Sequence, residues 1–109
     1  MTLSARVRIP QQAQAGEIVE IRTLANHPME TGFRIDTQGD RVPRRLIDRL
    51  TCSYAGRRIL DAELHPAIAA NPYLAFRFVA DVSGEIVVTW HEDTGETLEE
   101  RGFLEVRPA

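Results

Sequence analysis

The sequence contains no lysine; all 13 of its basic residues are arginine. That excludes Schiff-base chemistry and the phosphate-binding lysine of a P-loop. A single cysteine, Cys52, excludes a disulfide within the chain. Aromatic residues make up only 6% of the total, and no stretch approaches the roughly 20 apolar residues of a membrane-spanning helix. The opening residues MTLSARVRIPQQ lack the roughly 7–15-residue apolar run of a secretory signal. Taken alone, then, the chain is expected to be cytosolic. Neither internal repeats nor low-complexity tracts divide it. The 109 residues suit one domain, 1–109, large enough to bury about two-thirds of its unfolded surface without a structural metal.

Charge is unevenly placed. Residues 1–58 hold 10 arginines against 6 acids, and residues 59–109 hold 3 against 10, within a net charge of −3. Apart from Arg44–Arg45 and Arg57–Arg58, the arginines stand singly among apolar residues. That is the pattern of solvated strand faces and not of a phosphate-tracking groove, so no nucleic-acid partner is expected.

The apolar pattern has a period of two, which predicts strands over Leu3–Ile9, Glu17–Leu24, Gly32–Asp36, Leu46–Tyr54, Arg58–Leu64, Tyr73–Ala80, Glu85–His91 and Leu98–Val106. Turn residues separate them at fairly even spacing, as in Gln14-Ala15-Gly16, Asn26-His27-Pro28, Asn71-Pro72 and Asp93-Thr94-Gly95. Short strands so punctuated predict an all-β, antiparallel sandwich or barrel. Ala67–Ala70 is the only helical candidate, a single turn. Alternation places Leu50, Cys52 and Tyr54 inside and Arg49, Thr51 and Ser53 outside. It likewise turns Leu74, Phe76 and Phe78 inward. The run Ile86-Val87-Val88-Thr89-Trp90 is apolar on both faces, which predicts cover on its second side, from a partner for example.

Few side chains suggest catalysis. His27, His65 and His91 sit at strand ends, where they could converge on a metal with Glu92 or Asp93, but none has close ligand spacing to another. Cys52 faces inward and reads as a small buried hydrophobe before a nucleophile. Glu92–Asp93 and Glu99–Glu100 are adjacent pairs whose members point to opposite strand faces, so neither forms an acid/base dyad; both read as solvated hairpin charges. No enzyme and no cofactor are indicated. Two connections stand out as display segments: His27-Pro28-Met29-Glu30-Thr31-Gly32, and Asn71-Pro72-Tyr73.

These segments carry a family resemblance. His27-Pro28-Met29-Glu30-Thr31-Gly32, Gly39 with Pro43-Arg44, Thr51-Cys52 with Gly56, Pro66-Ala67-Ile68 leading into Ala70-Asn71-Pro72-Tyr73, and Ser83-Gly84 leading to Trp90 together resemble the SoxZ family, in order from about Ala15 to Gly95. The HPMETG and ANPY strings are its specific part. The resemblance implies an immunoglobulin-like antiparallel β-sandwich of about 7–8 strands. It also implies a non-catalytic subunit that pairs with SoxY, whose C-terminal cysteine arm carries the sulfur intermediates of thiosulfate oxidation, and that meets other enzymes of that pathway transiently. The chain ends Glu105-Val106-Arg107-Pro108-Ala109, without the glycine-flanked cysteine of the carrier. Since SoxZ proteins are exported folded with a signal-bearing SoxY, the resemblance replaces the cytosolic expectation with a periplasmic one.

On this basis His27, Met29, Asn71 and Tyr73 are expected to line a surface that contacts the partner or its arm, where a thioether and amide or imidazole donors suit a polarizable sulfur adduct. The strands Glu85–His91 and Tyr73–Ala80 are the expected partner interface, and the isolated chain is a candidate homodimer. The alternative reading is a stand-alone β-sandwich that binds a metal or other ligand through His27, His65 and His91.

Overall fold

The computed structural model describes residues 4–64 and 70–109. The period-two pattern becomes eight strands: β1 (Ser4–Arg8), β2 (Gln12–Gln14), β3 (Ile18–Asn26), β4 (Ile47–Tyr54), β5 (Arg57–Glu63), β6 (Tyr73–Val79), β7 (Gly84–Glu92) and β8 (Thr97–Arg107). They form two sheets, ordered β1-β3-β6 and β2-β8-β7-β4-β5. All pairings are antiparallel except β2 on β8. The fold is therefore the expected β-sandwich. Its connectivity is immunoglobulin-like, with β3 and β6 in one sheet and β4, β7 and β8 in the other.

The core lies between the sheets. Val19 and Ile21 of β3 meet Leu50, Cys52 and Tyr54 of β4, Ile86, Val88 and Trp90 of β7, and Leu104 of β8, all buried. Leu74, Phe76 and Phe78 turn inward as predicted, though they are only half-buried on the edge strand β6. Tyr54 joins the layers, its ring centroid 4.8 Å from that of Phe78. Its hydroxyl accepts the N–H groups of Asp81 (3.1 Å) and Val82 (3.0 Å) and donates to the Val82 carbonyl. Tyr54→Phe removes the partner of two amides at once and is expected to cost about 1–3 kcal/mol in a urea titration.

Gly84 is required for a different reason. A Cβ there would stand 2.6 Å from Cβ and 2.9 Å from Cα of Ala55, in the β4–β5 turn. Ala55 in turn donates its N–H to the Glu85 carbonyl at 3.0 Å, so the turn cannot withdraw without losing that bond. Gly84→Ala is expected to destabilise by about 1–3 kcal/mol through overpacking, measurable as a lowered melting temperature.

Several expectations are corrected. Gly32–Asp36 is not a strand; it belongs to a long connection between β3 and β4 that folds on itself through isolated bridges at Glu30–Arg45 and Ile35–Arg41. Phe33 and Ile35, whose alternation suggested the strand, point to solvent at 80% and 61% exposure. Thr51 is buried, because its Oγ1 sits 3.1 Å from His91 Nε2 on the outer face of the five-stranded sheet. β6 and β7 belong to different sheets and so present separate surfaces. β2 was not foreseen: Pro10, with no N–H for the ladder, closes β1, and the chain crosses to pair Gln12–Gln14 with Glu105–Arg107. The helical turn expected at Ala67–Ala70 lies almost wholly outside the described residues, as do His65 and Leu3. No helix among the described residues is long and apolar enough to cross a membrane.

Candidate functional site

The segment His27–Gly32 follows β3 and packs on the hairpin between β7 and β8. Its centre is His27, whose side chain is fully enclosed. The Met29 N–H donates to His27 Nδ1 at 2.8 Å. Nδ1 is thus an unprotonated acceptor, and the ring proton must lie on Nε2. That nitrogen is 2.7 Å from Glu92 Oε2 and donates to it. The pair is accordingly a neutral imidazole on a carboxylate.

Glu92 is the junction of the cluster, with a side chain only 2% exposed. Its Oε2 also accepts Arg45 Nε at 2.8 Å, and its Oε1 accepts the Thr94 hydroxyl. Burial pushes its carboxyl up, but the hydrogen bonds from Thr94, His27 and Arg45 together outweigh burial and hold it below the ordinary carboxylate value. The neighbouring Asp93 accepts the Leu46 N–H (3.0 Å) and Arg44 Nε (3.0 Å). Both hairpin acids are therefore committed to the chain that enters β4.

Met29 adopts φ +53°, in the left-handed region where a methionine is strained. Two bonds hold it there: its N–H on His27, and its Sδ accepting the Ile47 N–H at 3.3 Å. Glu30 and Arg45 exchange backbone bonds of 2.7 Å in both directions. Gly32 has φ +90°, and a Cβ on it would lie 3.2 Å from Arg44 Cβ. Asn71 closes the far side: its Oδ1 accepts the His27 N–H at 2.9 Å, and its own N–H donates to the His27 carbonyl at 2.7 Å. Its φ of +55° is one that asparagine tolerates.

Of the residues singled out in the sequence, the structure therefore brings together His27, Met29 and Asn71. His27 and Met29 are turned inward at 1% and 5% exposure, so they brace the surface from beneath and do not line it. Asn71 and Tyr73 are exposed, with Tyr73 at 61% on the outer face of the three-stranded sheet. Glu92, Arg45 and Thr94 were missed as members of the cluster. One signal was available: Glu92 has the same alternation as Ile86, Val88 and Trp90, all of which face the core.

The alternative use of the histidines gains no geometry. His91 lies on the outer face of β7, opposite to Glu92 and hence to the side that meets His27. Among the described residues no group of three or more His, Cys, Asp or Glu side chains could hold a metal ion. The cavity beside His27, lined by Ala25, Ile47, Trp90, Glu92 and Leu98 among others, has a volume of about 10 Å³. That is room for one water molecule. Cys52 is enclosed between the sheets, and burial pushes its thiol up to about 12. A thiol so placed is not an activated nucleophile.

The fold is one that immunoglobulin-like sandwiches of quite different work share. Similar structures are a superoxide reductase (neelaredoxin) from Ignicoccus hospitalis (15% identity, 95% of this chain and 80% of that one, TM-score 0.68), and a putative superoxide reductase from Thermotoga maritima (14%, 94% and 85%, 0.73). Another is the sulfur carrier protein SoxY from Chlorobium limicola f thiosulfatophilum (12%, 94% and 78%, 0.65). At such identities the likeness is one of fold. No curated protein matches the sequence. Residues 7–102 match the family described as sulphur oxidation protein SoxZ, and the chain belongs to that family. It is a component of a Sox sulfur-oxidation system.

Proposed function

We propose that the chain is the non-catalytic subunit of a SoxYZ-type complex, supporting a SoxY-like carrier whose C-terminal cysteine arm holds the sulfur intermediates of thiosulfate oxidation. The observation that carries this reading is the SoxZ match across residues 7–102. The architecture agrees with a supporting role: the HPMETG loop is bonded through His27 to Glu92 at the end of β7 and through Met29 and Glu30 to the chain that enters β4, and the single thiol is sealed in the core. Rigid elements of this kind present a surface without themselves reacting. Asn71 and Tyr73 provide exposed contact at one end of that surface, with His27 and Met29 fixing its backbone. Export takes place in complex with a signal-bearing carrier subunit, so the working compartment is the periplasm, where a buried Cys52 is protected from oxidation. Other enzymes of the pathway visit the assembled pair.

The test is co-expression with a SoxY-type carrier subunit from the same organism. A 1:1 complex that survives size exclusion is expected, with this chain in the periplasmic fraction only when the partner keeps its signal sequence. A chain that elutes alone, or that reaches the periplasm unaided, contradicts the proposal.

A further inference from the structure

The two outer faces of the sandwich are finished differently. On the five-stranded sheet the charges are zipped in the plane: Arg101 binds Glu85 (2.9 Å) and Glu99 (3.1 Å), and Arg49 binds Asp61 (2.6 Å). Thr51 is covered beside His91, and Phe103 is the one large apolar side chain strongly exposed there among the described residues. Such a face has most of its charges paired among themselves.

The three-stranded sheet differs. Its outer face carries Ile18, Leu24, Tyr73 and Val79 at 65%, 41%, 61% and 56% exposure. They stand in register as cross-strand pairs, Ile18 with Val79 and Leu24 with Tyr73. Between and beside them are Arg6, Arg8, Arg22 and Arg77 against Glu20 within the strands and Glu17 at the edge near Arg8. Glu20 is occupied by Arg22 at 2.7 Å and Arg77 at 3.3 Å. Among the described residues Arg6 and Arg8 have no carboxylate partner. Arg8 moreover lies directly opposite Arg22 in the β1–β3 ladder, and like charges so placed destabilise a sheet. The two arginines of β1, with Arg22, Leu24 and Tyr73, surround one shallow depression. Exposed tyrosine and arginine around an apolar strip is the composition of an interface centre. Its uncompensated positive charge, on a chain of net charge −3, selects an acidic counterpart.

We propose that the outer face of the β1-β3-β6 sheet is the surface on which the SoxY-type carrier subunit sits, through a contact region on that subunit that pairs apolar side chains with carboxylates. This rests on the partner reading above and adds to it the face and its chemistry. The carboxylates neutralise Arg6 and Arg8 and relieve the Arg8–Arg22 opposition, so the face is stable when covered and unfavourable when bare. Association is steered electrostatically and weakens with salt.

The experiment compares purified chain and carrier subunit by titration calorimetry at about 0.05 and 0.5 M NaCl, for wild type, Arg6→Glu/Arg8→Glu, Tyr73→Ala and, on the opposite sheet, Phe103→Ala. All four positions are solvent-exposed, and circular dichroism with thermal melting checks that each variant folds. Wild-type binding should weaken with salt. The double reversal should raise the Kd by about 100-fold or more and Tyr73→Ala by about tenfold, with Phe103→Ala unchanged. Wild-type affinity in both β1-β3-β6 variants, or a loss confined to Phe103→Ala, overturns the assignment while leaving the partnership intact. Sedimentation of the chain alone tests the remaining occupant: a homodimer broken by Tyr73→Ala that persists beside the carrier subunit gives the face to a second copy and also overturns it. A wild type that fails to bind the carrier subunit overturns the partnership and this assignment together.

Discussion

Glu92→Ala is expected to remove about 3–5 kcal/mol of folding stability, because it deletes one side of a buried, hydrogen-bonded cluster and leaves the other side without its acceptor. His27 Nε2–H, Arg45 Nε and the Thr94 hydroxyl all converge on this carboxylate. The His27 ring is enclosed, so bulk solvent does not reach it, and only a single water trapped in the small cavity beside it can stand in for the lost acceptor. For a domain of this size that is a large share of the total, and the midpoint of a urea titration at pH 7 should fall accordingly. A midpoint within experimental error of wild type would mean that the clamp is incidental.

The same group sets an acid limit. Glu92 is held below its ordinary value of 4.5 in the folded chain, so between the two values the unfolded state binds more protons than the folded one. Its contribution is therefore fully present above about pH 4.5 and is lost as pH falls through the depressed folded value. Melting curves across pH 3–7 should show wild type and Glu92→Gln separated at neutral pH and converging at the acid end. Parallel curves would assign the acid sensitivity to other carboxylates.

Cys52 in the native chain is expected to react with iodoacetamide at pH 8 at least about a thousand times more slowly than in guanidinium. Burial raises the thiol from 9.0 to about 12, which alone cuts the thiolate fraction by roughly a thousandfold at that pH. Enclosure between the sheets slows reagent access further. Native labelling close to the unfolded rate would restore a nucleophilic role to this cysteine.

The sandwich was legible because its signal is local. Leu50, Cys52 and Tyr54 alternate with Arg49, Thr51 and Ser53, and a strand with one face on a core cannot present any other set. Alternation failed where burial on the other side was supplied by a tertiary neighbour, as His91 does for Thr51. It failed again where apolar residues alternate with no core to face, as Phe33 and Ile35 do. Gln12–Gln14 offers one inward side chain, Ala13, and its pairing is decided by β8 at the far end of the chain, so no local pattern can reveal it. In the site, HPMETG and ANPY drew attention to His27, Met29 and Asn71, but their purpose depends on Arg45 and Glu92, brought together by pairing of β4 with β7. The pair Glu92–Asp93 read as solvated because hairpin acids usually are. Here Arg44, Arg45 and the backbone of Leu46 reach both of them.

The central claim is that this chain supports a carrier and does not itself carry or transform sulfur. Intact-mass spectrometry of the two-chain complex, isolated from cells oxidising thiosulfate, tests it directly. The predicted result is a set of sulfur adducts confined to the carrier subunit, with this chain at its unmodified mass. An adduct on Cys52, or thiosulfate consumed by the purified chain alone, would contradict it.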